Sequence, residues 1–276
     1  MPAYVTEAED AGVSEVMKVR GREQLLETAT AIRLALLLLL TALLIYALEA
    51  RTDIDLRMAD ALYDRVTGAF PWREAWLTAT FSHRIAKTAL TVCAGLLIAL
   101  AVGDAIWPQA AFDRPLARLR LRVVAWSAVL VPVITSLLKQ SSNAHCPWDL
   151  ARYGGKEPYL RLFEALPPGI LPGHCLPAGH ASSALWLVSL VVLWLPGPGR
   201  KAWRVLAACL APGLGLGWMQ QMRGAHFLSH TLWSMWIACA IVLGLVVVLQ
   251  ARVKRLPTLS GDTARRAPAG TRLPGR

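Results

Sequence analysis

The chain has 276 residues, of which 55% are hydrophobic and only 17% charged, with a formal net charge of +11. Soluble domains carry nearer ~25% charged residues, and here the deficit falls in runs long enough to cross a bilayer, which excludes an ordinary soluble globular fold. Lysines and arginines at span ends and on the cytoplasmic side account for the positive charge, so it does not call for a nucleic-acid partner.

In chain order, residues 1–30 are polar and mixed in charge, with Glu23 and Glu27 at helical spacing, and read as a cytoplasmic arm ending in an interfacial helix. A first span is predicted over 31–48. Its long polar lead and the sequence after it do not fit a cleaved signal peptide. Residues 51–86 are amphipathic, broken at Pro71-Trp72, and with Trp72 and Trp76 they are expected to lie along the membrane surface. A second span follows at 88–107, then a basic loop with Arg114, Arg118, Arg120 and Arg122, then a third span at 123–138. The stretch 139–177 holds no apolar run and is the longest interior loop. Loops of that length in a compact fold are usually functional or disordered. Spans at 181–195, 205–219 and 231–250 complete the set, with Pro196-Gly197-Pro198-Gly199 a clear turn between the first two.

The expected architecture is therefore all-α and polytopic: six transmembrane helices, with an amphipathic interfacial segment after the first. The arm occupies 1–30, the membrane domain 31–251, and a basic tail without periodicity 252–276. Six spans put both termini on one side. That side carries the basic loop after span two, Arg200, Lys201 and Arg204 after span four, and a tail with seven Lys/Arg against one acid. The positive-inside rule assigns it to the cytoplasm. The loops 51–86, 139–177 and 220–230 then face the periplasm or the cell exterior, from an inner (plasma) membrane.

Cys93, Cys209 and Cys239 fall within predicted spans and read as packing residues. Cys146 and Cys175 share the outward loop, where an oxidising compartment permits a disulfide closing roughly 30 residues, worth about 3–4 kcal/mol in the chain-entropy model. No compact Cys-x-x-Cys, nor a His pair with a carboxylate, favours a metal there.

Three outward segments carry the residues with chemistry. Lys139-Gln-Ser-Ser-Asn-Ala-His145-Cys146-Pro147-Trp-Asp149 leaves the third span. Cys175-Leu-Pro177-Ala178-Gly179-His180 opens the fourth. Met222-Arg223-Gly-Ala-His226-Phe-Leu-Ser-His230 joins the last two. On a helix His226 and His230 share a face one turn apart, with Arg223 one turn to the other side. That layout suits an imidazole that is oriented, kept unprotonated at one nitrogen and aimed at an anion. Converging cations at a membrane rim imply an anionic guest, and a helix opening with glycine offers free N–H groups to a phosphate. His174 and His83 read as structural, and Asp149 as a turn or cap residue.

These segments resemble the type 2 phosphatidic acid phosphatase superfamily, which also contains the vanadium haloperoxidases. Its motifs are Lys-x6-Arg-Pro, Pro-Ser-Gly-His and Ser-Arg-x5-His-x3-Asp. The resemblance spans about 139–233 and the six-span plan. It implies a phosphate-binding role for Lys139, backbone contacts at Ala178 and Gly179, a general acid at His180 and a nucleophile at His226. The sequence departs from the motifs at Cys146 in place of the arginine, Ala178 in place of the serine, Gln220 where the second arginine falls and His230 where the orienting aspartate stands. Arg223, three residues on, and His145 are the candidates to make up the missing cations, while His230 can accept from His226 and Asp149 can supply the missing charge. The resemblance implies phosphoryl transfer through a phosphohistidine, without metal or cofactor, on a lipid phosphate such as phosphatidate, phosphatidylglycerol phosphate, a polyprenyl diphosphate or a lipid A phosphate. A lipid-to-lipid phosphotransferase and a non-enzymatic lipid-phosphate carrier are the alternatives.

Overall fold

The computed structural model describes residues 24–255. It is 72% helical, and the described residues contain no strand. The tail from 256 onward and most of the N-terminal arm lie outside the described residues.

The leucine-rich run after Glu27 has no proline or glycine to interrupt it and winds into α1, Thr28–Arg51. Leu36, Leu39, Leu40, Leu43 and Leu44 on it are each more than half exposed. Such a continuous apolar face is stable only against lipid. A short α2, Ile54–Leu62, follows. Next come α3, Trp76–Ile106, and α4, Pro115–Gln140. A two-turn loop leads to α5, Gly179–Trp194, then α6, Gly199–Met222, and α7, Leu228–Arg255. Five of these helices are long and apolar enough to cross a bilayer, while α5 is shorter. The chain is a membrane protein.

The structure corrects the reading of 51–86 as one surface-lying amphipathic segment. Only α2 and a turn closed by pairing of Asp64 with Ala69 precede the break at Pro71. From Trp76 the chain is already the start of α3, wound for eleven residues as a π-helix before tightening. The polar stripe there made the sequence look interfacial, yet it faces protein. Thr78 and Ser82 are 0% and 2% exposed; the Thr78 hydroxyl donates to Trp72 O and that of Ser82 to Thr78 O. The basic loop before span three is likewise largely helix. Arg118 grips Asp104 with Nε at 2.8 Å, and Arg120 donates to the carbonyls of Val192 and Leu195, tying α4 to the end of α5.

The main core lies between α4, α5 and α7, where Val123, Val131, Leu185, Val188, Val192 and Val246 are almost fully buried. Small residues bring the helices close. A Cβ on Gly213 would stand 2.3 Å from Leu185, and one on Gly217 would stand 2.4 Å from Thr231. At the N-terminal end the Gln250 amide accepts from Leu25 and Leu26 N–H and donates to Leu26 O.

A second cluster caps the opposite end, formed by Ala59, Phe70, Leu150, Tyr153 and Phe227. It clamps the turn before α7. Gly224 there has φ +73°, and a Cβ on it would lie 2.4 Å from the Phe70 ring, while its carbonyl accepts the Trp148 N–H at 2.9 Å. Gly224→Ala is therefore expected to destabilise the fold by about 1–3 kcal/mol, from the backbone penalty and the overpacking together. A thermal melt in detergent checks it, and an unchanged melting temperature would show that the clamp is not tight.

Candidate active site

Four helix ends meet beneath this cap. Lys139 is one residue from the end of α4, His180 is the second residue of α5, His226 sits in the turn between α6 and α7, and His230 lies in the first turn of α7. The backbone welds these pieces: Ala178 N–H donates to His230 O at 3.1 Å, and the Ser234 hydroxyl is within bonding distance of both His230 O and Ala178 O.

His226 is 3% exposed and His230 2%. Their Nδ1 atoms are 3.5 Å apart, so one neutral ring donates to the other. His226 Nδ1 also lies 3.5 Å from Cys175 Sγ. With Nδ1 flanked on two sides, Nε2 is the nitrogen left to a ligand. The His180 ring centroid is 6.2 Å from that of His226, and both its nitrogens are buried without a hydrogen-bond partner among the described residues. Buried polar groups without partners are costly, and a ligand with oxygens would satisfy both. Burial first, then the neighbouring His230 and the charge on Lys139, holds the basicity of His226 well below the usual histidine range.

Lys139 runs alongside the start of α5, its Cδ 3.9 Å from the position a Cβ on Gly179 would take. Arg223 caps α6 and reaches back, NH1 donating to Gln220 Oε1 at 3.2 Å and Nε to Arg73 O at 2.9 Å. Gln220 in turn donates from Nε2 to Ser82 Oγ at 3.1 Å. The glutamine where the family has arginine thus leans on the guanidinium one turn later. The Ala178 N–H, committed to His230 O, is not available to a guest; the N–H groups of Gly179 and His180, at the open end of α5, have no acceptor among the described residues.

Cys146 and Cys175 form a disulfide that ties the two ends of the 139–177 loop together. Together with His226 their ligand atoms fall within 4.8 Å of one another. Both sulfurs are committed to the bridge, however, and the thiolates that zinc takes are absent from it. His145 is buried but turned to the loop side. Its Nε2 lies 3.9 Å from Glu157, and Gly173 packs over its ring. The structure does not bring it against His180 or His226. Asp149 is a turn residue whose carbonyl accepts Lys156 and Glu157 N–H. The acid beside the histidines is Asp55, on α2. It is 2% exposed and accepts from Ser229 N at 2.9 Å and Ser229 Oγ at 2.5 Å, capping α7 between His226 and His230. Burial raises its carboxyl above the usual range even so.

Two contributors escaped the sequence. Asp55 lies in a segment rich in acids, with nothing local to single it out. His83 belongs to α3, and its ring centroid is 4.2 Å from that of His180. A helical reading of 76–86 would have put Ser82 and His83 on a polar stripe continuing into the apolar span, a signal that the stripe faces protein.

The fold and the site define an all-helical membrane protein with a pocket of imidazoles and cations gathered at one end of its bundle. Residues 120–254 match the sequence model of the PAP2 superfamily, which supports membership of that superfamily. No curated protein and no solved structure matches the chain. The family generally hydrolyses phosphate esters, which fits a phosphatase.

Proposed function

We propose that the protein is a multi-pass phosphatase that removes phosphate from a membrane lipid through a phosphohistidine, without a metal, at the outer rim of the plasma membrane. The observation that supports it most is the meeting of His180 and His226, their ring centroids 6.2 Å apart, in a buried pocket edged by Lys139 and Arg223. Both rings can reach one phosphoryl group. His226 Nε2 attacks phosphorus, and the bond to the lipid oxygen breaks with its electron pair on that oxygen, which takes a proton from His180. Water then attacks, its proton passes to His180, and the N–P bond returns its pair to His226. Lys139, Arg223 and the Gly179 and His180 N–H groups hold the phosphoryl oxygens as charge builds. His230 holds the tautomer of His226.

The six-span plan has support in α5. It has only sixteen residues, but nine of them, Trp186–Trp194, are wound as 3₁₀-helix. With rises of ~1.5 and ~2.0 Å per residue it reaches about 28 Å, close to the ~30 Å hydrocarbon thickness. Six crossings put both termini on one side, the cytoplasm by the charge rule, and every site residue on the other.

Purified protein is assayed for phosphate release from a panel of lipid monophosphates and diphosphates in mixed micelles. Release from at least one of them in the presence of chelator is expected. No release by folded protein removes the proposal, and label recovered in a second lipid instead of in solution makes it a phosphotransferase. Because burial keeps His226 unprotonated, the acid limb of kcat/KM is expected to fall well below pH 6.5, with activity sustained as pH drops through that value. A limb at or above 6.5 would mean that the nucleophile is an ordinary exposed histidine.

A further inference from the structure

On the phosphatase reading above, we infer that His83 is a positioning residue of the reaction, acting through His180 as the route by which its proton arrives and leaves. His83 stands outside every motif segment. It lies on the π-wound start of α3 with its ring centroid 4.2 Å from that of His180, the two planes tilted by 42°. Both residues are half-buried, and the two ring nitrogens of His180 are buried without a hydrogen-bond partner among the described residues.

An imidazolium donates from both nitrogens. Neither nitrogen of His180 has a partner among the described residues, and Lys87, Lys139, Arg223 and His83 all lie within electrostatic range of it. The general acid has to give up one proton and take one back in each turnover, and an anionic phosphate beside it favours its charged form. Of the groups around His180, Lys139 and Arg223 are fixed cations, and Lys87 and Arg84 on α3 add further positive charge near His83. Among the described residues, His83 is the acid–base group whose ring lies against that of His180, and it is itself only half-buried.

The proton balance closes. A proton from a buffer acid reaches His83 and passes to His180, by way of a water or a phosphate oxygen both rings touch. His180 gives it to the lipid oxygen as the P–O bond breaks. The attacking water returns a proton to His180, and when phosphate departs that proton leaves through His83. The rest of α3 supports the arrangement, since Ser82 holds Gln220, and Gln220 holds Arg223. This wall of the pocket is thus built by the helix that the family motifs leave out.

The test uses full-length protein in detergent with a short-chain phosphatidate, or whichever lipid phosphate the panel identifies. His83→Phe keeps a stacked ring and carries no proton, and His83→Gln keeps polarity if the phenylalanine variant does not fold. Each is expected to lose about 10- to 100-fold in kcat with little change in KM. At fixed pH and ionic strength, its rate is expected to climb with imidazole buffer concentration, while wild type shows no such rise. Wild-type kcat in either variant overturns the inference, as does a loss that added imidazole leaves untouched, which would mark a packing role. A wild type that releases no phosphate from any lipid overturns the phosphatase reading as well, so the two failures are told apart.

Discussion

Alanine at position 226 is expected to lower phosphate release by ~10⁴-fold or more while leaving the fold intact, because removing the nucleophile of a concerted group leaves only binding and electrostatic help. The ring is held in one pose by burial and by contacts of Nδ1 with His230 and Cys175 Sγ. No other nucleophilic side chain takes that place among the described residues: Ser229 is bonded to Asp55, and Ser182 and Ser183 donate to carbonyls of their own helix. Truncation leaves a cavity without opening a buried charge, so the variant should purify and melt near wild type. The decisive measurement is a rapid acid-free quench of wild type with labelled lipid, which should trap a base-stable, acid-labile phosphoryl adduct that is missing in His226→Ala. Release that persists in the variant within tenfold of wild type would place the attacking group elsewhere.

The divergent motifs are made good in three dimensions, and here sequence and structure divide the work. The apolar runs that fill the helices were legible because membrane helices announce themselves by length and composition. Their ends were not. Helices α4 and α6 begin up to eight residues before the apolar run, since Arg118, Arg120, Arg200 and Lys201 find carbonyls, acids or the interface and do not stop the winding. The site histidines were legible because they cluster at span ends. The partners that hold them were legible only as gaps. The motif aspartate is replaced by His230, and the nearest carboxylate comes from Asp55, more than 170 positions away, bonding the backbone next to the histidine and not its ring. The arginine missing at 220 is answered by Arg223 only because one helical turn and a glutamine amide join them. Local spacing can suggest the second of these; the first depends on how α2 docks against α7, which no pattern within either segment encodes.

Removing the disulfide, by Cys146→Ser with Cys175→Ser, is expected to cost stability and activity together, and by different routes. Freeing a loop of about thirty residues restores chain entropy to the unfolded state worth ~3–4 kcal/mol, a large part of what a membrane domain's outer cap can supply. The bridge is also a wall of the site: Cys175 is 0% exposed, and its Sγ touches His226 Nδ1 and lies 3.2 Å from Ala225 O. A serine hydroxyl at 175 is shorter than the sulfur it replaces and can donate, so it competes with His230 for His226 Nδ1 and unsettles the tautomer. We expect a clear drop in melting temperature and a fall in kcat of about 10-fold or more below the melt, with the loss concentrated in kcat since Lys139 and Arg223 lie on other elements. Cys146→Ala with Cys175→Ala separates the routes, because alanine removes the bridge without adding a donor. Its stability should match the serine pair, while its kcat should lie nearer wild type. Equal kcat losses in the two double variants would mean that the bridge serves catalysis only by holding the loop, and wild-type values in both would mean that the 139–177 loop keeps its place over the pocket without it.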